Sequence, residues 1–196
     1  RNLDPATTFY IDADGKGLSW RGWREQFNAE AKNDFRSDDP AKIEDLIVKI
    51  NTKPELAYIK VIVIDTLNGV MVADEVRRMA EKGYDKWVDL AQCVWRLVEL
   101  ANHVRPDLDI VILAHSQTQK EDDGYTFTRV KTSGKKLDKL CLESKFTTVL
   151  YAVAKNGKYV FETRANNSTA KTPLGAFKEA EIDNDIVPVL ATLKEY

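Results

Sequence analysis

The sequence predicts an α/β fold in which a mainly parallel central sheet is flanked by helices and an antiparallel hairpin follows toward the C-terminus. Three observations carry the prediction. Residues 8–11, 61–64 and 110–114 are short, nearly continuously apolar runs rich in β-branched or aromatic residues, the composition of strands buried on both faces. Two helical patterns separate the second run from the third, giving a strand, helix, strand order with crossovers long enough to return the chain in the same direction. Farther on, Asn156-Gly157 lies between two strand-like runs, and this dipeptide favours the tight turn of a hairpin.

Taken in order, the first strand is followed by two helical patterns, residues 20–33 and 41–50, the second started by Asp38 or Asp39 with Pro40. After the second strand, the pattern over residues 84–105 places Trp87, Leu90, Ala91, Val94, Leu97, Val98 and Ala101 on one stripe, and Pro106 ends it. The third strand gives way after Gln119 to a polar stretch without periodicity. Residues 146–154 and 159–163 then form the hairpin around Asn156-Gly157. A short last helix is expected within residues 185–196, with Pro188 confining regular structure to about Val187 onward.

A chain of 196 residues is long enough to bury one substantial core, so residues 1–196 are expected to form a single domain. The 43% hydrophobic and 31% charged content is that of a globular protein. Apolar runs of about 4–8 residues fall short of the roughly 20 that a membrane-spanning helix needs, and no signal-like segment opens the chain, so a cytoplasmic location is expected. A formal charge of −2 leaves any nucleic-acid contact to a local patch. The two cysteines, Cys93 and Cys141, supply neither a disulfide framework nor a CxxC metal site and read as core thiols.

In open α/β sheets, ligands bind beyond the carboxyl ends of the strands. There the sequence runs Asp12-Ala13-Asp14, Asp65-Thr66 and His115-Ser116-Gln117. Four apolar residues followed by Asp is the Walker B pattern, whose carboxylate orients the water shell of a nucleotide-bound Mg²⁺. An Asp that merely caps the next helix gives the same pattern, so Asp65 alone decides nothing. Asp14 reads either as a general base or water-positioning carboxylate or as a turn residue before Gly15. His115 reads as a sensor of a terminal phosphate or as a hydrogen-bonded strand-end histidine. The second histidine, His103, stands on a helix without a cysteine cluster, so no metal other than Mg²⁺ is expected.

Together these segments resemble the phage-encoded RecA-like P-loop ATPases of the single-strand annealing and recombination group. Residues 9–14 (FYIDAD) are similar to the strand that ends in the RecA catalytic carboxylate, with Asp14 in that role in place of the usual Glu. Residues 61–66 (VIVIDT) look like Walker B, and residues 113–117 (LAHSQ) like the strand that carries the phosphate sensor. The resemblance implies ATP and Mg²⁺ as ligands. It puts Asp65 on Mg²⁺ through water with Thr66 beside it, and His115 and Ser116 at the γ-phosphate. Residues 161–177 (FETRANNSTAKTPLGAF) are similar to the region whose basic residues reach a neighbouring subunit's nucleotide, which nominates Lys171 and Arg164. An ordinary solvated lysine is the alternative for Lys171. One departure is large: no G-x-x-x-x-G-K-[ST] occurs in the sequence. In the family that loop immediately precedes a segment like residues 1–5, so the chain is expected to begin just downstream of it and to bind ATP poorly alone.

Between Thr118 and Lys139, the basic residues Lys120, Arg129, Lys131, Lys135, Lys136 and Lys139 are interleaved with Tyr125 and Phe127, a pattern that can contact phosphates and stack on bases. Glu121, Asp122, Asp123 and Asp138 offset much of that charge, so the alternative is a solvated loop. Its position matches the DNA-binding loop of RecA-like proteins. The resemblance therefore implies a recombination ATPase on single-stranded DNA that self-associates as a ring or filament. It implies no membrane partner, a phage single-strand DNA-binding protein as a further partner, and the bacterial host cytoplasm as location. The competing functions are a DNA-binding or assembly module without turnover, or another P-loop enzyme such as a helicase loader.

Overall fold

The computed structural model describes residues 1–83, 85–120, 124–133 and 137–196. The chain groups into two compact units where the sequence suggests one domain. The first comprises Leu3–His115 and Lys131–Cys141, and the second Ser116–Val130 and Leu142–Tyr196.

The first unit is built on four parallel strands, β1 (Thr8–Asp12), β2 (Asp34–Arg36), β3 (Val61–Asp65) and β4 (Asp109–Ile112), in the spatial order β2-β1-β3-β4. All are parallel, and Thr8 to Asp12 pair in register with Val61 to Asp65. Apolar residues at nearly every position are what such a sheet requires when both of its faces are covered, and β1 and β3 are buried along almost their whole length. Ile11, Ile62 and Ile64 are accordingly fully buried. The third expected strand, residues 110–114, is shifted to Asp109–Ile112, although Leu113 N still donates to Ile64 O at 2.9 Å.

Between β1 and β2, the sequence suggests a helix over residues 20–33, but only α1 (Trp23–Gln26) forms. The reason is local. Gly22 enters with φ +83°, and the Asn33 amide donates to the carbonyls of Pro5 and Gln26 while its oxygen accepts from Asn28 N. Asn side chains bonded to backbone in this way compete with the helix ladder. α2 (Pro40–Thr52) starts with the Asp39 side chain accepting from Ala41 N, and Pro40 occupies its first turn. Its inward face, Ile43, Ile47 and Ile50, is completely buried.

α3 (Leu67–Arg77) and α4 (Asp85–Ala101) follow β3, and α4 packs against both α2 and α3. Leu90, Ala91, Val94, Leu97 and Val98 form the buried stripe of α4, as the helical spacing predicts. The helix stops at Ala101, short of residue 105, where the Arg105 guanidinium donates instead to the carbonyls of Ile50 and Ile59. Arg105 thereby supplies a donor to an orphan carbonyl near the C-terminus of α2. Cys93 on α4 is half-buried and Cys141 is exposed, so the thiols are not the core residues expected from sequence. Burial raises the Cys93 pKa above its usual value.

The second unit is antiparallel. β5 (Ser116–Lys120) pairs with β6 (Thr126–Val130), and β7 (Tyr151–Lys155), β8 (Lys158–Glu162) and β9 (Glu181–Asp183) form a three-stranded sheet. The β7-β8 turn is Asn156-Gly157, with φ +52° and +75°, the left-handed pair that a two-residue hairpin turn demands. β7 starts five residues later than the expected residue 146. The β5-β6 hairpin occupies a region that reads as aperiodic in sequence. Glu143 is buried and accepts from Val130 N at 2.7 Å and Thr169 Oγ1 at 3.0 Å, so its charge is carried by hydrogen bonds. α5 (Ile186–Leu193) closes the unit, capped by Asp185 accepting from Val187 N, with Pro188 in its first turn where no helical donor is lost. Among the described residues, no helix is long and apolar enough to cross a membrane.

Candidate functional site

The strand order changes direction between β1 and β3: the chain leaves β1 toward β2 on one side and β3 toward β4 on the other. Such a switch point leaves a crevice outside the carboxyl ends of the two central strands, the place where open α/β sheets bind ligands. Asp12 and Asp65 end these strands as register partners, and the next two residues of β1's exit lead to Asp14.

Asp14 and Asp65 converge on one cation. Lys16 Nζ lies 2.5 Å from Asp14 Oδ2 and 3.5 Å from Asp65 Oδ1. The opposite oxygen of each carboxylate is held by a neutral hydroxyl of the scaffold. Thr66 Oγ1 donates to Asp14 Oδ1 at 3.1 Å, and Tyr10 OH donates to Asp65 Oδ2 at 3.1 Å. Thr66 also caps α3, since its hydroxyl accepts from Gly69 N at 3.1 Å, and the Asp65–Thr66 peptide that leads into the cap is cis. The backbone closes the arrangement, with Ala13 N donating to Asp65 O at 2.8 Å.

Asp12 plays a different part. It is almost fully buried; its Oδ2 accepts from Gly17 N at 2.9 Å and faces Arg36 Nε at 3.4 Å. That bond folds residues 12–17 into a tight turn whose Gly15 and Gly17 adopt φ +69° and +71°. Gly17 leaves room for the Trp23 ring, which a Cβ at this position would approach to 2.5 Å. Gly69 is equally constrained, because a Cβ there would approach the Ala13 carbonyl oxygen to 2.8 Å and run into Asp14 Oδ1.

Charges in the crevice shift one another. The Tyr10 hydroxyl is pushed far above its ordinary pKa, first by burial and then by the Asp65 and Asp12 charges, so it is a hydrogen-bond donor at every physiological pH. The Lys16 pKa is raised, chiefly by its hydrogen bond to Asp14, and its charge persists. Asp34, at the start of β2, is raised by burial and by Asp12, with Arg36 opposing.

Of the residues nominated by sequence, the structure brings Asp14, Asp65 and Thr66 together. His115 is in the same unit; its backbone N donates to Asn68 Oδ1 at 2.7 Å and its carbonyl accepts from Lys131 N at 2.7 Å, while the residue itself is exposed. Ser116, Lys120, Tyr125, Phe127, Arg129, Arg164 and Lys171 belong to the second unit. There, Arg164 donates to the carbonyls of Phe177 and Lys178 at 3.0 and 2.8 Å, and Lys171 is half-buried with its backbone paired to Val149. Phe127 on β6 and Tyr125 just before it stack with ring centroids 6.4 Å apart. Lys135 and Lys136 lie outside the described residues.

Tyr10, Lys16 and Gly69 join the same cluster and are missed by sequence reasoning. Tyr10 carried one signal: a hydroxyl in the middle of an otherwise apolar, doubly covered strand must find a partner. Lys16 between two glycines gives only a turn, and Gly69 in a helical stretch gives only a lowered helix propensity.

Two aspartates whose inner oxygens meet at one ammonium offer hard-oxygen ligands of the kind that Mg²⁺ takes together with water and phosphate, so the residues present fit that ion. A family model described as an AAA domain matches residues 8–174, the span that runs from β1 through β8 and contains the whole crevice. No curated protein matches the chain.

Proposed function

The chain belongs to the AAA domain family, whose members are ATPases of the P-loop type, and from that premise we propose that it is an ATP-hydrolysing phage recombination protein acting on single-stranded DNA. The observation that carries the ATPase part is the convergence of Asp14 and Asp65 at the switch point of the parallel sheet. Mg²⁺ bound there supplies charge neutralisation for the phosphates. Asp65, fixed by Tyr10, orients the water shell of that ion, and Asp14, fixed by Thr66, positions and deprotonates the attacking water. His115 and Ser116 lead from the sheet into β5, as a phosphate sensor coupled to a downstream hairpin would. Lys171 acts on a neighbouring subunit's nucleotide in a ring or filament. Arg164 is already committed to two carbonyls, which favours Lys171 over it.

DNA contact is supported by the β5-β6 hairpin. Its Tyr125 and Phe127 rings stack side by side, Tyr125 is exposed, and Lys120 and Arg129 lie on the same two strands. Stacked aromatics among basic residues bind single strands without sequence preference. A phage single-strand DNA-binding protein as partner and the host cytoplasm as location follow from the same resemblance.

The test is single-strand-DNA-stimulated ATP hydrolysis by the complete gene product, beside Asp65→Ala and Tyr125→Ala. Turnover lost in Asp65→Ala, with DNA affinity lowered about five- to 100-fold in Tyr125→Ala, is the expected result. DNA binding without turnover in any variant would replace the ATPase by a non-catalytic binding module.

A further inference from the structure

Lys16 is surrounded by an arrangement that a surface ion pair does not need. Each carboxylate of the crevice has its outer oxygen fixed by a scaffold hydroxyl, Thr66 for Asp14 and Tyr10 for Asp65. The inner oxygens, Asp14 Oδ2 and Asp65 Oδ1, are the ones turned to the ammonium. The hydroxyls thus hold two like charges close together with their remaining oxygens aimed at one point. Like charges held this way require a cation between them. Lys16 supplies it from a turn whose backbone is fixed at Gly17 by Asp12 and by Trp23, so the side chain can leave while the turn stays. Leaving costs little, because the Lys16 side chain is 53% exposed and its ammonium hydrates readily.

We propose that Lys16 and a divalent cation compete for the point between Asp14 and Asp65, Lys16 acting as a built-in counter-ion that keeps the two carboxylates aligned until the metal displaces it. The proposal rests on the assignment of Mg²⁺ to Asp65 made above and adds to it a positioning residue. With one charge, the ammonium balances half of the pair, whereas a divalent ion balances both carboxylates; displacement is therefore favoured once metal is supplied at a concentration near its affinity.

The probe is Mn²⁺, whose free fraction is read by electron paramagnetic resonance, titrated into the chain, Lys16→Gln, Lys16→Arg and Asp65→Asn at neutral pH without nucleotide. The expected result is Mn²⁺ binding about two- to fivefold tighter in Lys16→Gln, the range of one exposed ion pair, unchanged in Lys16→Arg and lost in Asp65→Asn. Equal affinity in the chain and Lys16→Gln, with Asp65→Asn still defective, would overturn the competition and leave Asp65 as a metal residue. Binding indifferent to Asp65→Asn would overturn both. A measurement without a variant runs alongside: the ¹⁵N resonance of the seated Lys16 ammonium, protected from solvent exchange by Asp14, is expected to disappear on adding Mg²⁺, and its persistence at saturating metal would equally reject the exchange.

Discussion

Replacing Gly69 by Ala sets two effects of known sign against each other. Gly69 lies in the first turn of α3, and in an unobstructed helix Gly→Ala stabilises by about 1 kcal/mol. Here the added methyl would meet Ala13 O at 2.8 Å, Ala13 C at 2.9 Å and Asp14 Oδ1. A side-chain end could swing away, but the Ala13 peptide is backbone, and its N–H is tied to Asp65 O at 2.8 Å. Relief therefore displaces the 12–17 turn and strains or breaks that bond together with Thr66 Oγ1 to Asp14 Oδ1. Overpacking costs roughly 1–3 kcal/mol and each hydrogen bond about 0.5–1.5 kcal/mol. Subtracting the helix gain leaves a net loss on the order of 2 kcal/mol, which for a chain of this size lowers the melting temperature by about 4–8 °C. Thermal unfolding followed by circular dichroism reads the shift, and Mn²⁺ titration should show weakened binding in the same variant. A Gly69→Ala protein as stable as the parent, or more so, would mean that helix propensity governs the position and that the close approach of α3 to the Asp14 turn is absent in solution.

Two pH-dependent outcomes follow from the same crevice. The Tyr10 pKa is raised, so the stability its protonated phenol contributes is complete below about 10 and is lost as pH climbs through and beyond that value; urea unfolding between pH 8 and 11 should show a shallower alkaline decline in Tyr10→Phe, on top of a loss of about 1.5–3 kcal/mol at pH 7 from the hydrogen bond to Asp65. The Asp34 pKa is also raised, so its favourable contribution is complete below about 4 and is lost as the group ionises; Asp34→Asn should therefore gain stability at pH 7, by less than about 1 kcal/mol for a half-buried group still screened by solvent, with the gain vanishing at pH 4. A gain that persisted at pH 4 would trace to something other than the charge.

The sheet of the first unit was legible because both its faces are covered, so that Val61 to Ile64 had to be apolar throughout. β2 was not. It is three residues long at a sheet edge, Asp-Phe-Arg, with no run long enough to show a period. β5 and β6 escaped for a related reason: Ser-Gln-Thr-Gln-Lys has neither an apolar run nor an apolar alternation to mark a strand. In the crevice, Asp14, Asp65 and Thr66 were found by the rule that strand ends carry the chemistry. Tyr10 and Lys16 depend on the register that sets residues 10–16 beside Asp65, across about fifty positions of sequence, and a linear pattern does not contain it.

The indole lying on Gly17 turns the crevice into its own reporter. Trp23 fills the space that a Cβ on Gly17, the residue next to Lys16, would need, with Arg24 4.6 Å from the ring centroid. An asymmetric charge near an indole and a fixed backbone contact give it a chiral optical signature, which changes with any movement of the turn. The near-ultraviolet dichroism that distinguishes the parent from a Trp23→Phe variant thus reads, without an attached dye, whether the turn stays in place while the carboxylate pair exchanges its cation.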